Sequence, residues 1–304
     1  MPLMIHHSVS AAAAALVCAG ALVGCSGSGA VTTVTQYAQA PAAPAAPAAM
    51  TGPAASRRVA ANIGTAAAVV RRAHELPATR AAALPLVGKI VGIDPGHNGR
   101  NYTDPSYIDH LIWNGREYET CNTTGTETDS GYTEAQFNFN VATYLAADLR
   151  AEGAKVVLTR HSNTGIGPCV NQRAEIIDHS GANVAIDIHA DGGPPDGRGF
   201  AILEPVADGP NDRIIGASER FGRDVLERYA ALTGMPTSNY DGTGGIVFRD
   251  DLAGLNLTTV PEVLIETGNM RNPTDAALLI TARFQHLAAA GLSQAITLFL
   301  TGRT

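Results

Sequence analysis

Lysine is almost missing from this 304-residue chain: only Lys89 and Lys155 occur, so arginine supplies nearly all the positive charge. The formal net charge of −7 lacks the basic excess of a general nucleic-acid binder, and no nucleic-acid partner is expected. No internal repeat is evident, which argues against a solenoid or a tandem wall-binding array. The apolar segment at 11–24 is too short to span a bilayer comfortably. What remains is a chain with a 45% hydrophobic share, enough for a globular core even though alanine inflates it near the N-terminus.

That short apolar segment, rich in small residues, reads as the core of a signal peptide over residues 1–25, although its leading end carries His6 and His7 rather than Lys or Arg. Leu22-Val23-Gly24-Cys25 resembles a lipobox. A lipid on Cys25 would anchor the chain to a membrane without a transmembrane helix; simple secretion is the alternative. Residues 26–86 read as a linker, Gly/Ser-rich and then Ala/Pro-rich, too poor in core-forming side chains to fold alone. A short amphipathic helix at 57–83, exposing Arg57, Arg58, Arg71 and Arg72, competes there with a solvated spacer.

Residues 87–304 read as one folded domain. Lys89 to Ile93 is a short β-branched run that Pro95 and Gly96 stop, so His97 follows a strand's carboxyl end. In open α/β sheets that edge is where ligands collect. Residues 98–131 form a polar excursion in which apolar residues flank Asn114-Gly115, a strong hairpin signal; that hairpin, which carries the only tryptophan, Trp113, either lines or covers a cleft or is an ordinary surface excursion. Thr133 caps a helix over 133–152, with Phe137, Val141, Leu145 and Leu149 at four-residue spacing and Glu134 in its first turn. Strands are expected at 155–160, 184–189, 199–203, 245–248 and 263–268, and helices at 171–179, 211–232 and, as one long element, 275–300. Alternating strands and helices predict an α/β domain with a mixed, mostly parallel central sheet flanked by helices on both faces.

Along the strand at 184–189, Val184, Ile186 and Ile188 point one way, and Asp187, His189 and Asp191 the other. His97, Glu134, His189 and Glu266 each stand at an element's end near one edge of the sheet. Two imidazoles and a carboxylate form a usual catalytic zinc set, and a second carboxylate can then serve as general base. The chain has no His-Glu-x-x-His, so the short-range zinc-protease signature is absent. On the residues alone, either Glu134 or Glu266 can be the ligand with the other as base, and Asp187 and Asp191 are further ligand candidates.

Ile93-Asp94-Pro95-Gly96-His97-Asn98-Gly99, Glu134 at a helix start, Thr159-Arg160 with Arg173, Asp187-Ile188-His189-Ala190-Asp191, the segment from Pro261 to Gly268, and Asn272-Pro273 together resemble the amidase-3 family. These are zinc-dependent N-acetylmuramoyl-L-alanine amidases, and the likeness is to their secreted mycobacterial and actinobacterial members. The resemblance implies one Zn²⁺ held by His97, Glu134 and His189, with Glu266 as base. The implied substrate is peptidoglycan or its muropeptides, cut between the lactyl group of N-acetylmuramic acid and L-alanine by an exported monomer. It also implies a disulfide between Cys121 and Cys169. Three positions depart from the family form: Asp187 replaces a serine, Asp191 an asparagine, and Asn269 an aromatic expected on a substrate-facing wall. The rival readings are a non-catalytic wall-binding or regulatory protein on the same fold, and a zinc peptidase of the stem peptide.

Overall fold

In the computed structural model, which describes residues 84–302, the apolar run before Pro95 becomes β1 (Ile90–Pro95). Period-2 alternation turns Val91 and Ile93 into the main core. Gly92 faces the other way because a Cβ there would lie 2.6 Å from Ile177 Cδ1. Leu86 is fully buried in that core, one residue ahead of the boundary expected at 87. The expected leader at 1–25, Cys25, most of the linker and the candidate helix at 57–83 lie outside the described residues.

The excursion after β1 contains a one-turn helix α1 (Pro105–Ile108) and the antiparallel hairpin β2 (Leu111–Trp113) and β3 (Tyr118–Thr120). Its loop spans four residues rather than a two-residue Asn-Gly turn. Gly115 takes φ +104°, while Asn114 acts through its side chain, whose Oδ1 accepts from the amides of Arg116 and Glu117. Just beyond β3, Cys121 forms the expected disulfide with Cys169.

Helix α2 (Glu134–Ala151) starts at the predicted cap, where Thr133 accepts from the Gln136 amide. The chain continues through β4 (Lys155–Leu158), α3 (Val170–His179), β5 (Val184–Asp191), β6 (Ala201–Pro205), α4 (Ile215–Thr233), β7 (Ile246–Arg249), α5 (Ala253–Leu257) and β8 (Glu262–Asn269). Helix α4 begins later than expected because Asn211 is buried and spent on the carbonyls of Val206 and Leu255. The closing helix expected at 275–300 is two helices, α6 (Pro273–Leu279) and α7 (Ala282–Thr301). Thr281 breaks it: its extended backbone redirects the chain and its hydroxyl accepts from Phe284 N, capping a new first turn.

The six main strands run β4-β1-β5-β8-β6-β7, parallel throughout except for the antiparallel β6–β8 pair. Helices α2, α4 and α7 cover the face bearing Val91, Ile186, Ile202 and Ile265. On the other face α3 covers Ala185 through Ile177, and α5 covers Ala201, Leu203 and Leu264 through Leu255. This is the expected mixed α/β architecture. Its register brings Asp94 beside Asp187 and His189 beside Glu266. Among the described residues no helix is long and apolar enough to cross a membrane.

Candidate metal centre

His97 leaves β1 with φ +57°, a left-handed conformation that side-chain-bearing residues rarely take. Two buried arginines hold it there. Arg173 pairs with Asp94 and donates to the carbonyls of Pro95 and His97, while Arg160 donates to those of Pro95, Gly96 and Ala135. They thus tie the β1 turn to α3 and to the start of α2. Behind the imidazole, Nδ1 of His97 lies 3.3 Å from Asn122 Oδ1 and 3.2 Å from Thr123 Oγ1, which turns Nε2 toward the cleft.

Glu134, at the first position of α2, spans both imidazoles. Its Oε2 lies 3.1 Å from His97 Nε2 and its Oε1 2.8 Å from His189 Nδ1. The carboxylate is oriented by the amides of Thr126 and Ala190 and by Asn138 Nδ2. Burial opposes its ionisation, but the two imidazoles prevail and hold its carboxyl well below the usual range. His189 leaves the same face of β5 as Asp187, whose Oδ1 lies 3.3 Å from its Nε2. Burial works against a charged His189, and Asp187 with Glu134 nonetheless raises it well above the ordinary imidazole range. The two imidazole centroids are 4.7 Å apart, edge to face.

Glu266 stands across the β5–β8 ladder from His189, and among the described residues its buried Oε2 has no hydrogen-bond partner. Burial pushes its carboxyl well above the usual range; the charges of Glu134, Asp191 and Asp187 add to this, and His189 opposes it. These groups line a cleft of about 400 Å³. Two glycines keep its floor open: a Cβ on Gly96 would lie 2.2 Å from His189 Nε2, and one on Gly125 would lie 2.6 Å from His97 Cδ2.

His97, Glu134 and His189 each bring a ligand atom, all within 4.8 Å of one another. Two imidazoles and one carboxylate in a space that glycines keep clear fit one divalent cation of the zinc kind. A second cluster, His110 with Cys121 and Cys169, does not, because its sulfurs are joined to each other.

The structure brings together all four side chains singled out from the sequence. Of the two carboxylates, Glu134 touches the imidazoles, and Glu266 stands one strand over. The hairpin lines the cleft, one of its expected placements, through Glu119 and Thr120 of β3, while Trp113 itself is half exposed and is not among the lining residues. One expectation is corrected. Asn269 forms no substrate wall: it is buried, and its Nδ2 donates to the carbonyls of Pro194 and Gly197, pinning that loop. Sequence reasoning missed Asn122 behind His97, Tyr240 donating to Asp191 Oδ2 at 2.7 Å, and Arg249 at the cleft's far end. None sits in a recognisable spacing; Asn122, next to Cys121, carried the only signal.

Over the described residues, fold and site together define an α/β domain with a His/Glu/His cluster, suited to one divalent cation, at the carboxyl edge of its sheet. Residues 91–298 match the family Amidase_3, N-acetylmuramoyl-L-alanine amidase. The chain is 37% identical over 240 residues to the N-acetylmuramoyl-L-alanine amidase Rv3717 of Mycobacterium tuberculosis, covering 78% of this chain and 95% of that protein. It is also similar to the crystal structure of the N-acetylmuramyl-L-alanine amidase Ami1 from Mycobacterium smegmatis, with TM-score 0.68 and 37% identity over 72% of this chain and 99% of that one. The apo Ami1 of Mycobacterium abscessus gives TM-score 0.67 at 36% identity, covering 71% and 100%. The chain therefore belongs to the Amidase_3 family of N-acetylmuramoyl-L-alanine amidases.

Proposed function

We propose that this protein is a peptidoglycan hydrolase that cleaves the amide between the lactyl group of N-acetylmuramic acid and L-alanine, using one Zn²⁺ held by His97, Glu134 and His189. The observation that carries this reading is the convergence of those three ligand atoms within 4.8 Å on the floor of a cleft that Glu266 also lines. When bound, the metal supplies a Lewis acid that polarises the scissile carbonyl and acidifies water. Glu266 acts as the general base. Its unpartnered Oε2 takes the attacking water's proton and returns it to the departing L-alanine nitrogen. Asn122 holds the His97 ring, and Glu134, fixed by backbone amides, keeps both imidazoles in place.

Export follows the same reading: the leader ending at Cys25 delivers the protein, lipid-anchored or free, to the cell wall, where it acts as a monomer. The disulfide supports an oxidising compartment. Mass spectrometry of peptidoglycan digests tests the proposal. Free lactyl carboxylates and L-alanine amines are expected, and chelation should abolish them. Cuts within the stem peptide, or release unaffected by the chelator, would reject it.

A further inference from the structure

The cleft is acidic. Asp94, Glu119, Glu134, Asp187, Asp191 and Glu266 all line it, and among the described residues the only arginines or lysines beside them are Arg173 and Arg249. Arg173 is 2% exposed and committed to Asp94. Arg249 ends β7 and is 32% exposed. Asp251 holds it through two nitrogens, Nε at 2.6 Å and Nη2 at 2.8 Å, which fixes the plane of the guanidinium. Among the described residues its Nη1 has no acceptor. A planar donor fork held from behind with one nitrogen unspent suits a carboxylate, and among the described residues no other accessible arginine or lysine lines this cleft.

Position then says which carboxylate. Val247 packs with Leu203 and Leu264 on the cleft face of the sheet, so Arg249, two residues on, shares that face with Glu266. In the order β8-β6-β7 two strand spacings of ~4.8 Å separate them, and because Glu266 faces Ala201 while Arg249 faces Pro205 they also stand four residues apart along β6, which puts their backbones about 16 Å apart. An extended peptide covers at most ~3.5 Å per residue, so this backbone span equals about four to five residues of a stem peptide. The floor between is apolar, made by Leu203, Leu264, Leu252 and Leu255. An anionic side group lying nearer the histidines would meet the carboxylates clustered there.

We propose that Arg249 binds a carboxylate of the stem peptide, distal to the scissile bond, and so selects stems with free carboxylates over carboxamides. This rests on the amidase reading above. Two muropeptides that differ only in a stem carboxylate or carboxamide test it. The wild type should prefer the free acid by about ten-fold in kcat/KM, mostly through KM, and the preference should shrink with added salt. In Arg249→Gln the ratio between the two substrates should fall toward one, while Arg249→Lys, which keeps the charge, should retain part of it. Because both substrates meet the same folded fraction, the ratio is independent of any loss of fold. Equal wild-type turnover of the two, or an unchanged ratio in Arg249→Gln, overturns the proposal. NMR titration of the wild type with the two free stem peptides separates the two readings. Selective binding without any hydrolysis keeps the carboxylate site and discards the amidase, whereas hydrolysis without selectivity discards the site alone.

Discussion

Replacing Glu266 with glutamine should make the metal-free protein more stable while nearly abolishing hydrolysis. The Glu266 Oε2 is buried without a partner, and Glu134, Asp191 and Asp187 surround it with like charge. Leaving a buried polar atom unsatisfied costs about 1–3 kcal/mol. The amide carries no charge, and its NH₂ can donate to those same carboxylates. The sign follows from burial raising the folded-state carboxyl well above its ordinary 4.5. The wild type keeps the full benefit of a protonated Glu266 below that value and loses it as pH rises through the folded one. With metal chelated, Glu266→Gln should therefore match the wild type near pH 4.5 in urea melts and exceed it by about 1 kcal/mol or more at pH 8. Loss of the base should lower kcat on purified peptidoglycan by about 10²–10⁴ with metal restored. A variant less stable than the wild type at pH 8, or one within ten-fold of its turnover, would refute the reasoning.

Three further outcomes follow from groups outside the reacting centre. The Cys121–Cys169 bridge closes a sequence separation of 48 residues, so a double serine variant should lose up to about 4 kcal/mol in denaturant melts. Asn122 adjoins Cys121 and stands behind His97, so the same variant should also bind metal more weakly in chelator competition. Glu204 lies buried on β6 against Gly222 of α4, and burial, with the charge of Glu219, pushes its carboxyl up to about 7. Its stabilising protonated form is complete below 4.5 and lost as pH passes 7, so Glu204→Gln should raise Tm at pH 8 and leave it unchanged at pH 4.5. A pH-independent difference would reject that assignment.

The arginines that hold the β1 turn show how far a resemblance reaches without coordinates. Arg160 and Arg173 are visible as motif members, but their work, fixing a left-handed His97 through backbone carbonyls, depends on contacts across 64 to 78 residues. Helix α2 was legible throughout, because its cap and its four-residue apolar spacing are local properties of the chain. The break at Thr281 was hidden, since apolar periodicity runs through it and only the capping geometry reveals the turn.

The sequence by itself singled out four side chains that meet in one cleft, His97, Glu134, His189 and Glu266, and showed roughly where each strand ends, because Pro, Gly and alternation act within a few residues. Only the tertiary structure decided that Glu134 rather than Glu266 touches the imidazoles, that Asn269 pins a loop, and that Arg249 shares the cleft. The physical reason is strand register. A strand's own period says which side chains share its face, but the neighbour across the ladder is fixed only when the helices close over the whole sheet.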